Sequence, residues 1–106
     1  MDLRVVIHRA DSWLARLRGL IGTASWPRNR ALHIRPCNAV HTCFMRYAID
    51  VVFVDRRGRI VKVITALKPW RAAAAWRAAG VLELAAGEAE RVGWRVGVTL
   101  PRRAWH

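Results

Sequence analysis

Apolar residues along this chain mostly alternate with polar ones or form short continuous runs, a pattern typical of β-strands. The clearest run is Ile49 to Val54, in which only Asp50 is charged, and it predicts a central strand covered on both faces. The residues after it predict a tight turn at 55–58 and a returning strand at 59–65, and thus a β-hairpin. Weaker patterns predict strands at residues 3–8, 31–35, 81–84 and 96–100 and an extended segment at 43–47.

Helical signals are fewer. Apolar residues from Trp13 to Ile21 recur at helical spacing and predict one helix. Two glutamates favour the first turn of a short helix at 87–92, and alanine propensity favours one or two helical turns at 72–79. Residues 37–42 are predicted to be irregular. The predicted fold class is therefore α+β and β-rich, a curved antiparallel sheet or partly open barrel of six to seven short strands with two to three short helices.

The length of 106 residues predicts a single domain, 1–106, with a frayed tail at 101–106. No apolar run approaches the roughly 18 residues of a membrane-spanning helix, so no membrane span is predicted. The opening residues do not resemble a signal peptide, which favours a cytoplasmic location. In that reducing compartment Cys37 and Cys43 are expected to remain thiols.

The charge of the chain suggests a possible function. The chain has 19 basic and 7 acidic residues, a net charge of +12, and nearly all of the basic residues are arginine. One interpretation is the codon bias of a GC-rich genome, and the other is a polyanionic partner such as nucleic acid. The arginines are spread along the chain without a recognisable nucleic-acid-binding motif, so any binding to nucleic acid is expected to be non-specific and sensitive to salt.

The middle of the chain resembles a known family, the bacterial and archaeal domain of unknown function 192. The resemblance covers roughly residues 12 to 100 and rests on an ordered set of motif residues: His41, Thr42, Met45, Ile49, Asp50, Val51, Phe53, Asp55, Gly58, Pro69, Trp70, Val81 to Leu84, Gly87 and Gly97. It implies a compact β-rich domain with no established activity. Cys43 and the pair Val98-Thr99 depart from the family pattern, and the second departure removes an acidic residue after Gly97.

The polar residues of the central stretch include potential metal ligands and potential catalytic groups. Cys37, His41, Cys43 and Met45 are soft or borderline metal ligands, but their spacing matches no standard site, so no metal and no cofactor are predicted. Cys37 or His41 acting with Asp50 would suit a hydrolytic enzyme, which stays open as an alternative.

The favoured interpretation is a binding or accessory domain for an unidentified small molecule, peptide or protein. Its shallow site is predicted around the Pro36–Met45 loop and Asp50. Because a carboxylate in an apolar strand must be hydrogen-bonded, Asp50 is predicted to be buried and to accept hydrogen bonds from His41, Thr42 or nearby backbone groups. The proposed ligand-binding residues are Asn38, His41, Thr42, Met45, Asp50 and Trp70.

Overall fold

A computed structural model describes residues 5–9, 30–42 and 47–101 of the chain. Within these ranges the chain forms seven strands and one short helix. The elements are β1 (Val6–Arg9), β2 (Arg30–Ile34), β3 (Ala39–His41), β4 (Ile49–Val54), β5 (Ile60–Leu67), β6 (Ala72–Ala74), β7 (Gly80–Ala85) and α1 (Glu88–Arg91). The fold is thus β-rich, as the sequence predicts.

Five of the strands form one sheet in the order β1-β2-β7-β4-β5. The pair β1–β2 is parallel, whereas β2–β7, β7–β4 and β4–β5 are antiparallel. The expectation of a wholly antiparallel sheet is therefore wrong at this one edge. Within the described ranges β1 and β5 are the two edges and do not pair with each other, so the sheet is open rather than closed into a barrel.

The central strand β4 is buried at every position, which explains its almost uninterrupted apolar sequence. Its side chains alternate between two clusters, one on each face of the sheet. Val52 and Val54 pack in a cluster that also includes residues of α1 and the segment after it. Ile49, Val51 and Phe53 pack in the other cluster, on the opposite face. We call these the helix face and the ribbon face.

The second sheet, a two-stranded ribbon of β3 and β6, covers the ribbon face. Val40 pairs with Ala73, and both side chains pack against the apolar cluster beneath them. The residues on either side of this pair are exposed, as period-two alternation requires. The Nζ of Lys62, on β5, donates a hydrogen bond to the carbonyl oxygen of Ala74 at 2.8 Å.

The ribbon corrects two local predictions. Residues 72–79 form a strand and a turn rather than a helix, and residues 37–42 include a strand rather than being irregular. Pairing between β3 and β6 overrides the helical propensity of alanine, which is a weak preference. The predicted last strand is reduced to an isolated bridge between Arg59 and Thr99. The predicted helix at 13–21 and most of the extended segment at 43–47 lie outside the described residues.

Candidate functional site

Asp50 is fully buried, as its position in an apolar strand predicts. Its Oδ1 accepts a hydrogen bond from the backbone N–H of Ala66 at 2.9 Å. Its Oδ2 accepts two more, from the N–H groups of Gly87 and Ala89, both at 3.0 Å. The carboxylate therefore caps the first turn of α1 from a distant strand, where a helix leaves its N–H groups unsatisfied.

The predicted donors to Asp50 were wrong. They were expected in the segment before β4, at His41 or Thr42, but the three observed donors all follow β4 in the chain. The reason is the face on which Asp50 lies. It shares the helix face with Val52 and Val54, whereas the preceding segment packs on the ribbon face.

Thr42 is a buried polar residue on the ribbon side, and its hydrogen bonds fix the connection between β5 and β6. Its hydroxyl donates to the carbonyl oxygen of Lys68 at 2.6 Å and accepts from the N–H of Arg71 at 2.9 Å. Its backbone N–H donates to Arg71, and its carbonyl accepts from Trp70. Thr42 thus satisfies a loop that would otherwise bury unpaired polar groups.

Trp70 lies in the connection that Thr42 holds. Its side chain is 58% exposed, and its backbone has a φ of 63°, in the left-handed region. Ala66, at the other end of the connection, also has a positive φ of 52°. Residues other than glycine rarely adopt this backbone conformation because it causes steric strain. Contacts with neighbouring residues must therefore hold it in place.

A concave surface of about 710 Å³ lies on the ribbon side of the molecule, beside the end of β4. We call it the turn groove and define it by its lining residues, Pro36, Cys37, Asn38, Asp55, Arg56, Arg57, Trp76, Arg77, Ala78 and Ala79. It includes the start of the predicted Pro36–Met45 loop. The other residues of the lining come from two β-turns and the residue after the second one. These two turns lie about twenty residues apart in the sequence.

The first turn connects β4 to β5 and carries Arg56 and Arg57 at its tip. Its backbone closes through a hydrogen bond from the N–H of Gly58 to the carbonyl of Asp55 at 3.1 Å. The Oδ1 of Asp55 accepts from the N–H groups of Arg57 and Arg59 at 2.8 and 3.0 Å. Gly58 has a φ of 83°, which this turn requires and which glycine adopts without strain. The two arginines are thereby presented on an ordered backbone.

The second turn follows β6 and carries Trp76 and Arg77. It closes through a hydrogen bond from the N–H of Ala78 to the carbonyl of Ala75 at 2.8 Å. Trp76 is 82% exposed, the highest value among the large apolar side chains in the described part of the chain. The Cζ of Arg77 lies 5.5 Å from the centroid of the Trp76 ring, a cation–π contact.

Backbone hydrogen bonds join the walls of the turn groove to one another. The N–H of Ala75 donates to the carbonyl of Asn38 at 2.9 Å, and the N–H of Cys37 donates to Ala79 at 3.2 Å. The N–H of Ala79 donates in turn to Val54, the last residue of β4, at 2.8 Å. The groove is therefore a preformed part of the fold, which lowers the entropic cost of binding.

Charge in the turn groove is unbalanced. Arg56, Arg57 and Arg77 are exposed, and none of them forms an ion pair in the described ranges. The one acidic residue of the lining is Asp55, whose Oδ1 already accepts two backbone hydrogen bonds. The groove therefore presents guanidinium donors, which suit carboxylate and phosphate groups.

Cys37 lies in the groove lining as a half-buried thiol. Its Sγ donates a hydrogen bond to the carbonyl of Ala39 at 3.1 Å. Burial is the main cause that raises the pKa of this thiol, and the charge of Glu83 adds to it. A raised pKa disfavours the thiolate, which is the nucleophilic form.

The structure distributes the predicted site residues over several places. Asn38 lines the turn groove, and His41 is exposed on β3. Thr42 and Trp70 meet in the connection described above, and Asp50 lies on the opposite face of the sheet. Met45 is outside the described residues. The role of these six residues in binding stays a prediction.

The sequence interpretation missed the residues that carry the charge and the aromatic surface of the groove. Arg56 and Arg57 were assigned only to a turn, and Trp76 and Arg77 only to a weak helix. A signal was present in each case. Two adjacent arginines occupy the tip of a hairpin, and a tryptophan interrupts a run of alanines without any apolar periodicity that would bury it.

Among residues 5–9, 30–42 and 47–101, no three His, Cys, Asp or Glu side chains group closely enough to hold a metal ion. No helix in those same ranges is sufficiently long and apolar to cross a membrane.

Comparison with known proteins establishes the class to which this chain belongs. It is a member of the DUF192 family, described as "Uncharacterized ACR", whose model matches residues 1–101. This confirms the resemblance drawn from the motif residues, and the family has no established activity.

Individual relatives are equally uncharacterised. The chain is 35% identical over 75 residues to a UPF0127 protein of Pyrococcus furiosus, a match covering 66% of this chain and 62% of the relative. It is 40% identical over 70 residues to a UPF0127 protein of Pyrococcus horikoshii, covering 61% and 58%. The chain thus matches about three fifths of the length of each of these two relatives.

Two crystal structures share the fold. One is a protein of unknown function from Novosphingobium aromaticivorans, with a TM-score of 0.69 over 86% of this chain and 70% of that one. The other is a candidate transcription regulator from Sinorhizobium meliloti 1021, with a TM-score of 0.73 over 86% and 76%. Both are 19% identical to this chain, so the similarity concerns the fold alone.

Proposed function

We propose that this chain is a binding domain whose turn groove recognises an anionic ligand. The observation that carries the proposal is the convergence of three arginines, without ion pairs among the described residues, and one exposed tryptophan on a single preformed concave surface. Exposed arginines elsewhere on a basic protein can be explained by composition alone. Here, arginines from two separate turns meet on one concave surface beside an aromatic ring, and guanidinium groups in such a place suit carboxylate and phosphate ligands.

The ribbon side supports a binding role better than an enzymatic one. The candidate nucleophile Cys37 has a raised pKa, and the candidate carboxylate Asp50 lies on the helix face with three backbone hydrogen bonds. Cys37 and His41, the two candidates to act with Asp50 in hydrolysis, are therefore separated from it by the central sheet. A nucleophile and its base must lie within about 3 Å of each other or be linked by one water.

Calorimetric titration with inorganic tripolyphosphate, a compact polyanion, tests the proposal. The double variant Arg56→Gln/Arg77→Gln is expected to bind at least about tenfold more weakly, because each charge-assisted contact is lost. Arg71→Gln/Arg95→Gln is the matched control, since it removes the same charge from two exposed arginines that do not line the groove. If the groove variant and the control variant lose the same affinity for tripolyphosphate, the binding reflects general charge attraction, and the assignment of the groove is overturned.

A further inference from the structure

Two further concavities adjoin the turn groove, and we call the three together the trough. One of about 240 Å³ shares Pro36, Arg56 and Ala79 with the turn groove. The other, of about 510 Å³, shares Asp55 and Arg77 with it.

Arginine lines all three concavities of the trough. The two neighbouring concavities add Arg35 and Arg59 to the three arginines of the turn groove. All five are exposed, and none forms an ion pair in the described part of the chain. A compact anion such as a single phosphate could contact only a few of these groups. Five guanidinium groups in adjoining concavities are instead suited to a ligand that carries repeated negative charge.

We infer that the trough binds single-stranded nucleic acid, a conclusion that rests on the proposed function and narrows its ligand. The phosphates of a nucleic-acid strand repeat along its backbone, so several of them can contact the five arginines of the trough. The exposed ring of Trp76 in the turn groove offers a surface on which a base can stack, as in proteins that bind single strands without sequence preference. Arg77, already in contact with this ring, can hold a phosphate beside the stacked base.

An acidic peptide fits the observations less well. It would satisfy the arginines through its carboxylates, but it would leave the exposed indole of Trp76 without a partner. Double-stranded DNA is also disfavoured, because its bases are stacked internally and cannot reach a single aromatic ring on the protein surface. Base stacking is therefore the property that separates single-stranded nucleic acid from other polyanions.

Fluorescence anisotropy with a labelled oligothymidine octamer and the full chain tests the inference. Trp76→Ala is expected to weaken binding by about 5- to 100-fold, the range typical of one stacked base, whereas Trp76→Phe retains most of the affinity. Thr65→Ala serves as the control, because Thr65 is exposed and does not line the trough. Because the Trp76 side chain is exposed, Trp76→Ala should fold as the wild type does. Far-ultraviolet circular dichroism verifies this.

Salt dependence gives a second readout. Five phosphate contacts predict a slope of about −3.5 for the logarithm of affinity against the logarithm of salt concentration. Arg56→Gln/Arg77→Gln should reduce this slope by about 1.4, whereas Trp76→Ala should lower affinity without changing it. A duplex of the same length and a hexaglutamate peptide are the competitors, and both are expected to compete poorly.

The outcomes separate this inference from the proposed function. If tripolyphosphate, the peptide and the octamer all require the groove arginines and Trp76→Ala binds each normally, the groove binds anions but the nucleic-acid inference is overturned. If the octamer binds equally well to all variants, or none of the probes binds, the proposed function is overturned as well.

Discussion

Asp50 and the turn groove use their polar groups in opposite ways. On the helix face, the Asp50 carboxylate is fully buried and accepts three backbone hydrogen bonds, so its bonding capacity is used within the fold. On the ribbon side, the turn groove exposes Arg56, Arg57 and Arg77, which form no ion pair within the described ranges, and leaves Trp76 82% exposed. The first arrangement stabilises the structure, whereas the second presents groups to a ligand. A buried polar residue in a strand is thus a poor guide to the binding site of this protein.

Asp50→Ala should produce the largest change and break the helix face selectively. It leaves three backbone N–H groups without their acceptor, and unfolding in urea should show a loss of about 2–4 kcal/mol. Glu90→Ala, which removes an exposed carboxylate from α1, should change stability by less than about 0.5 kcal/mol. At urea concentrations below its unfolding transition, the Asp50→Ala variant should still bind tripolyphosphate as the wild type does. A loss of binding in the folded variant would place Asp50 in the ligand site.

Thr42→Val tests the frame of the ribbon side. Valine has nearly the same shape but cannot bond to Lys68 or Arg71, so the free energy of unfolding should fall by about 1–3 kcal/mol. Thr65→Val is the matched control because Thr65 is exposed on β5 and should tolerate the change. Equal stabilities of the two variants would show that the buried hydroxyl does not hold the β5–β6 connection.

Ala66→Gly sharpens the comparison in the opposite direction. Ala66 has a φ of 52° because its N–H must reach Asp50, and glycine adopts this conformation with less strain. The variant should be more stable by about 0.5–1 kcal/mol in urea unfolding. Ala86→Gly, at an exposed site without this strain, should instead be destabilised.

The pH dependence of stability should show the smallest effect, through Cys37 in a Cys43→Ser background. Because burial raises the pKa of the Cys37 thiol, the folded protein holds this proton more tightly than the unfolded chain. The stabilisation is present below the pKa of the unfolded thiol and is lost as the pH rises through the folded-state pKa. Replacing Cys37 with Ser should flatten that alkaline decline, and an unchanged decline would exclude the thiol as its cause.

Sequence patterns predicted the parts of the structure that depend on local order. The run from Ile49 to Val54 has the bounds of β4, and Asp50 was predicted to be buried because its neighbours are apolar. Its hydrogen-bond donors could not be predicted, since they lie 16, 37 and 39 residues further along the chain. Only the packed fold brings such distant groups together.

The site shows the same division. The hairpin turn with Arg56 and Arg57 follows from its sequence, but its position opposite Trp76 depends on the ribbon, and the ribbon forms only when β3 pairs with β6. Alanine-rich residues 72–74 have no strand signal of their own. The pairing partner therefore decides their conformation, and with it the shape of the groove.

Amide chemical-shift mapping during titration with tripolyphosphate tests most directly whether the ligand surface is the turn groove. The account predicts that the largest shifts occur at residues 37–38, 55–57 and 76–79 and that the amides of Ala66, Gly87 and Ala89, which donate to Asp50, remain unchanged. Shifts centred on those three amides, or spread evenly over exposed arginines such as Arg95, would contradict it.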